Sequence, residues 1–282
     1  MTVKIVVDSL ADLPAEQVER HGIEIIPLTV RFGTTEFKDG VDLTADDFYQ
    51  RLAAGHDYPA TAVPSIGEFV EMYERVGRDA DGIISIHVSS KVSGTYNAAV
   101  QGAREAGVGA GCPIEVVDSL QASMGIGMLA LVASEAAATG ADLPTVVERV
   151  RGAMSRVNCT TLLDTLEYLQ KGGRIGKAQA LVGTLLNFKP MIEVTDGLVH
   201  PFARPRSRKK GIARLIERAR ELAPAERLVV LHSTTPDEAS ALASELGDLT
   251  DGEVMISRYG PGLGTYVGPG ALGIGILRSG GD

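Results

Sequence analysis

The sequence predicts an α/β protein of two domains, and three features lead to this prediction. Short runs of β-branched residues, such as 3–7 and 82–88, alternate with segments of helical periodicity, which is the pattern of a parallel sheet flanked by helices. The chain has 282 residues, and one domain takes roughly 150. The sequence pattern of alternating strands and helices changes after an amphipathic helix expected at 143–157, and a β-hairpin signal follows. We therefore predict an N-terminal domain at 1–155 and a C-terminal domain at 156–282.

The N-terminal domain is expected to hold a mostly parallel sheet with helices on both faces. Its strands are predicted where β-branched and aromatic residues lie between turn residues: 3–7, 23–32, 36–38, 82–88 and 114–117. Its helices are predicted from apolar spacing: one from Pro14, then 44–54, 66–76, 95–106, 121–138 and 143–157. Asp12 is a candidate cap for the first helix, and Ser65 with Glu68 forms a capping-box pattern.

The C-terminal α/β domain is expected to hold a mixed sheet. A short strand predicted at 191–194 meets Asp196-Gly197, a pair typical of a β-hairpin. The remaining elements alternate in type: a helix at 209–222, a strand at 228–232, a helix at 237–246, and strands at 253–257 and 270–277.

The composition argues against several classes of function. A net charge of −9, from 36 acidic and 27 basic residues, disfavours nucleic acid as a partner. Cys112 and Cys159 form no CxxC pair and no metal framework with the five histidines, so neither a metal nor another cofactor is expected, and a reducing cytoplasm fits best. We expect no signal peptide. The longest apolar segment, 124–138, is shorter than the ~20 residues of a membrane span, so stable membrane insertion is not expected.

A turn rich in hydroxyl groups is the strongest candidate binding site. Five of the eight residues from Ser89 to Tyr96 carry a hydroxyl, and the segment joins a predicted strand to a predicted helix. Ser93, Gly94 and Thr95 can present side-chain and backbone donors at the start of that helix, where the partial positive charge favours an anion. A helix cap without a ligand is the alternative interpretation.

Two further positions are candidate ligand-binding residues. Thr61 lies in a stretch expected to be irregular, and the cap at Ser65 leaves its hydroxyl unexplained. Arg174 follows the glycine pair Gly172-Gly173, whose backbone freedom can direct one guanidinium toward a carboxylate or phosphate. A surface arginine after a helix end is the equally weighted alternative.

Other patterns have a structural and a functional interpretation. The pair Asp8-Ser9 recurs as Asp118-Ser119, each at the end of a predicted strand, where it either lines a ligand edge or caps the next turn. The glycine-rich segment 260–270 is expected to precede a strand rather than open a helix, so it is not a dinucleotide fingerprint. The basic run 204–210 is either a solvated face or a docking site. His87 is interpreted as a packing residue rather than a general base, and no catalytic residue is predicted.

These segments together resemble the DegV family of fatty-acid-binding proteins. The resemblance extends in order over nearly the whole chain and rests on Val7-Asp8-Ser9, Asp12-Leu13-Pro14, Asp39-Gly40-Val41-Asp42, 61–65, 89–96, Gly172-Gly173-Arg174-Ile175, Lys189-Pro190, 206–210 and Gly268-Pro269-Gly270. It implies two α/β domains that hold a long-chain fatty acid between and within them.

The resemblance also implies roles for particular residues. Thr61 and Ser93 would hold the carboxylate, and Arg174 would support it. Some members of the family pass their fatty acid to a separate ATP-dependent kinase subunit. This chain has Tyr266 where the family usually has histidine, and a tyrosine donates a hydrogen bond but is uncharged near neutral pH. It also has Gly176 where a serine is usual.

The functional prediction is a non-catalytic carrier of a long-chain fatty acid such as palmitate. It includes presentation of the carboxylate to a separate fatty acid kinase. The predicted helix 121–138 is either the lining of an acyl slot or ordinary core. The alternatives are a phosphoryl-transfer enzyme for a small anionic substrate, using Ser93 and Arg174, and an interaction protein that works through 204–210.

Overall fold

The computed structural model describes residues 1–55, 57–107, 112–181 and 188–280. The strands of this part of the chain are β1 Val3–Asp8, β2 Ile23–Ile26, β3 Thr29–Phe32, β4 Thr35–Lys38, β5 Pro59–Ala62, β6 Gly82–His87, β7 Ile114–Asp118, β8 Val157–Leu162, β9 Met191–Thr195, β10 Leu198–Ala203, β11 Ala225–His232, β12 Met255–Arg258 and β13 Leu272–Arg278. The helices are α1 Ala15–His21, α2 Ala45–Ala53, α3 Ile66–Val76, α4 Thr95–Glu105, α5 Met124–Ala138, α6 Leu143–Met154, α7 Glu167–Lys171, α8 Arg208–Leu222, α9 Pro236–Glu245 and α10 Pro261–Val267.

The first sheet is parallel, with the strand order β2-β1-β6-β7, as predicted. Successive residues of its strands point to opposite faces, so Ile83 packs against α3 and α4 while Ile84 packs with α5 and α6. Both faces are covered, which explains why the central strands carry apolar residues on both faces. The register pairs Ile86 with Val7 and with Val117, so the carboxyl ends of these strands share one edge.

The expected single strand at 23–32 is wrong, because the chain breaks at Pro27 and enters a second, antiparallel sheet. This sheet has the order β4-β3-β5 and packs against α2. Proline has no N–H for a central ladder, and the N–H of Leu28 donates instead to Ser9 Oγ at 3.1 Å. Thr61 is also corrected: it lies on β5, paired with Val30, and not in an irregular stretch.

The third sheet is mixed, with the order β10-β9-β8-β13-β11-β12, in which only the β11–β12 pair is parallel. The hairpin at Asp196-Gly197 is confirmed, since both residues have positive φ, 51° and 76°, as a type I′ turn requires. One face of this sheet is covered by α8 and α9. The other, which we call the inner face, belongs to the same core as the parallel sheet and α5.

The helix α5 belongs to the core rather than to a ligand slot. Its residues from Met124 to Leu131 are buried on every side of the helix, between the parallel sheet and the inner face. Of the two interpretations of the predicted helix 121–138, the structure therefore favours ordinary core over α5, and only Ala122 and Ser123, just before it, reach the cavity between the two sheets. Within the described residues, none of the helices has the length and apolar character needed to cross a bilayer.

The predicted cap at Asp12 is wrong, and the capping box at Ser65 is confirmed. The helix α1 begins after Pro14, which makes no side-chain cap. Asp12 instead closes the short 3₁₀ turn 9–11 in a left-handed conformation, φ 49°, and is buried. Ser65 and Glu68 exchange both bonds of the capping box at the start of α3. The domain boundary at 155 stays a prediction; it falls between α6 and β8.

Candidate functional site: an apolar cavity with a polar mouth

A cavity lies between the carboxyl edge of the parallel sheet and the inner face of the mixed sheet. The space between its walls, with the open mouth and adjoining solvent included, is about 980 Å³. Its wall is mostly aliphatic and combines residues from both halves of the chain: Leu10, Leu28, Val63, Val88, Val92 and Ala122 from the first, and Leu169, Ile192, Val194, Leu198, Val199, Leu231, Leu263 and Val267 from the second.

One end of the cavity is polar and brings together Thr61, Ser93, Arg174 and Tyr266. The hydroxyls of Thr61 and Tyr266 lie 2.5 Å apart and share one hydrogen bond. The guanidinium of Arg174 lies 5.5 Å from the centre of the Tyr266 ring. Thr61, Ser93 and Tyr266 are half-buried and Arg174 is exposed, so this polar group forms the mouth of the cavity.

The turn before α4 places Ser93 in the wall and holds its neighbours behind it. Ser93 Oγ accepts from the N–H of Thr95 at 3.3 Å, and the hydroxyls of the two residues lie 2.8 Å apart. Thr95 is fully buried, and Gly94 occupies the N-cap position of α4. Of these three predicted ligand residues, the structure brings only Ser93 to the cavity; Gly94 and Thr95 do not line it.

Arg174 is held at the mouth by backbone acceptors from both halves of the chain. Its Nε donates to the carbonyl of Val92 at 3.3 Å, and its Nη1 donates to the carbonyl of Gly172 at 2.9 Å. Gly173 has a positive φ of 69°, a conformation that glycine adopts readily, as expected from the backbone freedom of the Gly172-Gly173 pair. A Cβ on Gly172 would lie 2.6 Å from the Tyr266 ring, so this glycine makes room for the tyrosine.

The glycine-rich segment opens a helix, contrary to the prediction that it only precedes a strand. The helix α10 begins after Gly260 with Pro261 at its first position, where proline is favoured. A Cβ on Gly262 would lie 2.5 Å from Asp39 Oδ2, and one on Gly264 would lie 2.6 Å from the Phe48 ring. These glycines allow α10 to pack closely on the N-terminal half and to place Tyr266 beside Thr61.

Two buried carboxylates that the sequence did not single out as site residues support this helix. Asp12 accepts from the N–H of Gly260 at 2.9 Å and from Ser123 Oγ at 2.6 Å. Asp39 accepts from Ser9 Oγ at 2.7 Å and from the backbone of Gly262. Burial raises the pKa of Asp12 to about 8 and the pKa of Asp39 to about 6. The two residues fasten the start of α10 to the N-terminal half of the chain.

His87 is a packing residue, as predicted. Its ring is fully buried and bonds Ser85 Oγ at 2.7 Å and Asp8 Oδ2 at 3.0 Å. Although these three residues are of the Ser-His-Asp types, none of them lines the cavity. They join β1 to β6.

The repeated Asp-Ser pairs follow the capping interpretation. Asp8 Oδ1 accepts from the N–H of Leu10, and Asp118 Oδ1 accepts from the N–H of Leu120, both at 3.1 Å. Each aspartate therefore closes the turn that follows its strand, at the shared carboxyl edge.

The basic run 204–210 divides into a structural and a solvated part. Arg208 is tied to Asp164, to Glu238 and to the carbonyl of Gly270, so it fixes the start of α8. The other basic side chains of the run are exposed.

The fold and the cavity define a class of protein: α/β proteins with an apolar cavity between two sheets and a mouth lined by hydroxyls and one guanidinium. The profile of the family described as "Uncharacterised protein, DegV family" matches residues 2–279. A DegV domain-containing protein of Streptomyces coelicolor is 41% identical over 281 residues, covering 96% of this chain and 97% of that one. The chain belongs to the DegV family.

Solved structures of this family have the same fold. A fatty-acid-binding DegV family protein from Thermus thermophilus has a TM-score of 0.91 at 32% identity, over 98% of this chain and 99% of that one. DegV from Bacillus subtilis, described as a fatty acid binding protein, has a TM-score of 0.87 at 32% identity over the same shares. The predicted fold class and family are confirmed.

Proposed function

We propose that this protein binds a long-chain fatty acid with its carboxylate at Thr61, Ser93, Arg174 and Tyr266. The observation that carries the proposal is the union, in one cavity, of a hydroxyl-and-guanidinium mouth and a long aliphatic wall. The fatty-acid-binding relatives of the same fold support it.

The mouth suits a carboxylate because it supplies donors and one positive charge. The hydroxyls of Thr61 and Tyr266 now satisfy one another, and both can turn their hydrogens to the same carboxylate oxygen. The guanidinium of Arg174 adds a charge-assisted partner. Because the chain carries a net charge of −9, this local positive charge offsets a field that repels anions.

The aliphatic wall supplies most of the affinity. Each methylene that leaves water contributes about 0.8 kcal/mol, so a chain of some sixteen carbons gains on the order of 10 kcal/mol before the costs of association. The cavity wall supports palmitate or an acid of similar length as the ligand.

We further propose that the protein is a cytoplasmic, non-catalytic carrier that presents the carboxylate to a separate fatty acid kinase. The exposure of Arg174 supports this role, because the carboxylate then lies at the surface while the acyl chain is enclosed. The alternative, a phosphoryl-transfer enzyme, requires ATP turnover by the chain alone. An ATPase assay with and without palmitate separates the two functions.

The binding proposal is tested by titration of the delipidated protein with palmitate. Ser93→Ala is expected to weaken binding by about 1–3 kcal/mol, because it removes a partner of a partly buried carboxylate. Ser244→Ala, on the exposed face of α9, is the matched control and is expected to bind as the wild type does. If the wild type takes up no palmitate, the proposal fails; unchanged affinity in Ser93→Ala removes Ser93 from the site.

A further inference from the structure

A second polar position lies in the cavity wall, away from the mouth. The hydroxyls of Thr161 and Tyr259 are 2.8 Å apart and share one hydrogen bond, and both residues line the cavity. Thr161 lies on the inner face of β8, and Tyr259 follows β12, with its N–H bonded to the carbonyl of His232 at 2.9 Å. Tyr259 is only 2% exposed.

The fold makes room for this pair. Gly273 of β13 lies directly opposite Thr161 in the sheet register. A Cβ on Gly273 would overlap the Tyr259 hydroxyl and would lie 3.2 Å from Thr161 Oγ1. The glycine therefore allows the tyrosine to cross the inner face and meet the threonine.

A count of donors shows that the pair has unused capacity. Two hydroxyls carry two hydrogens, and one shared bond consumes one of them. Within the described residues, neither hydroxyl has a second side-chain partner. The cavity wall also includes Ser123 and Glu193, but Ser123 donates to Asp12 and Glu193 is bonded to Arg218. Because both residues line the cavity, the remaining O–H can turn toward it, where a buried donor without an acceptor is unfavourable.

This pair is separate from the mouth. Tyr259 lies two residues before α10 and Tyr266 lies in its last turn, so the five helical steps from Pro261 to Tyr266, at a rise of about 1.5 Å each, separate them by about 7.5 Å along the helix axis. An acyl chain whose carboxylate lies at Tyr266 would therefore reach the Thr161–Tyr259 pair several carbons further along.

We propose that the Thr161–Tyr259 pair binds an oxygen atom carried within the acyl chain, so that the ligands of this protein include mid-chain hydroxy or oxo fatty acids. A ligand hydroxyl there would accept the free hydrogen of the pair and donate its own to the other oxygen. The inference rests on the proposed function, because it requires an acyl chain in this cavity with its carboxylate at the mouth.

The test is a titration of the delipidated protein with palmitate and with the series of monohydroxypalmitic acids. One mid-chain isomer is expected to bind at least as tightly as palmitate. The isomer with the hydroxyl at the terminal carbon is expected to bind at least about fivefold more weakly than this mid-chain isomer, because its hydroxyl loses water without gaining a partner.

Variants of the pair identify the residues responsible. Tyr259→Phe and Thr161→Val are each expected to weaken the favoured isomer about fivefold, which corresponds to a net hydrogen bond of about 1 kcal/mol. Both are expected to keep palmitate affinity within about twofold, which also demonstrates folding. Tyr73→Phe is the matched control, since it removes a buried tyrosine hydroxyl bonded to Ser85 outside the cavity.

The outcomes separate this inference from the proposed function. The inference is overturned if palmitate binds but the hydroxypalmitic acids keep the same order of affinity in the wild type and in the variants. The pair is then a structural tie between β8 and the end of β12. Equal losses for palmitate and for the favoured isomer in Tyr259→Phe overturn the inference as well. If neither palmitate nor any isomer binds, the proposed function itself has failed.

Discussion

The hydroxyl of Tyr266 provides the sharpest test of the polar mouth. Tyr266→Phe keeps the ring that packs against Gly172 and lies 5.5 Å from the guanidinium of Arg174. It removes one oxygen, which lies 2.5 Å from Thr61 Oγ1. If that oxygen donates to the ligand carboxylate, its loss removes a hydrogen bond to a charged group, worth about 1.5–3 kcal/mol. The dissociation constant for palmitate should then rise about 10- to 150-fold.

The assay is isothermal titration of the delipidated variant with palmitate near neutral pH. Tyr266→His is the companion variant, because it restores the residue usual in the family and keeps a donor at this position. Since an unperturbed histidine has a pKa near 6.5, its affinity for palmitate should strengthen as the pH falls from about 7.5 to about 5.5. The reasoning is refuted if Tyr266→Phe binds palmitate as tightly as the wild type.

Three further predictions concern the supports of the site and its surface. Burial raises the pKa of Asp12 from 3.8 to about 8, so the folded state holds a proton that the unfolded state releases; this stabilisation is complete below about pH 4 and is lost as the pH rises through about 8. Asp12→Asn should reduce this pH-dependent loss in the free energy of unfolding, measured by urea unfolding between about pH 4 and about pH 8. An unchanged pH profile would contradict the raised pKa of Asp12. Gly172→Ala places a Cβ 2.6 Å from the Tyr266 ring and should weaken palmitate binding at least about tenfold in the same titration, whereas wild-type affinity would mean that the ring moves freely. Lys209→Glu with Lys210→Glu should leave palmitate affinity unchanged and, if the basic run docks a kinase subunit, abolish pull-down of that subunit; retained pull-down would exclude this surface.

The sequence predicted the elements whose signals are local. Strand and helix alternation gave the parallel sheet, and the Ser65–Glu68 pattern gave the start of α3, because caps and periodicity depend on residues a few positions apart. Asp196-Gly197 gave the hairpin for the same reason. Ser93 and Arg174 emerged as candidates because each combines a donor with a turn or a glycine pair, and Thr61 because the cap at Ser65 left its hydroxyl unexplained; the structure brings all three to one cavity mouth.

What the sequence could not predict depends on contacts between distant segments. The glycine-rich segment 260–270 was expected to precede a strand rather than open a helix, because only the packing of Gly262 on Asp39 and of Gly264 on Phe48 makes these glycines compatible with a buried helix. The apolar composition of α5 fits either the lining of a slot or ordinary core. Its position between two sheets shows that it belongs to the core.

The inner face of the mixed sheet was missed for a related reason. Its residues are spread over β8 to β13, and each strand also carries apolar side chains toward α8 and α9. Periodicity shows that two faces exist, but it does not show which of them faces a cavity. The alternation at Cys159 and Thr161 on β8 was the available signal, and it became interpretable only when Tyr259 was placed opposite.

Lipid mass spectrometry of the purified, denatured protein tests the central claim most directly. A stoichiometric long-chain acyl carboxylate should be released from the wild type, reduced in Ser93→Ala and Tyr266→Phe, and retained in Ser244→Ala. Recovery of no acyl chain from the wild type, together with no uptake of added palmitate, would contradict the claim that this cavity is a fatty acid site.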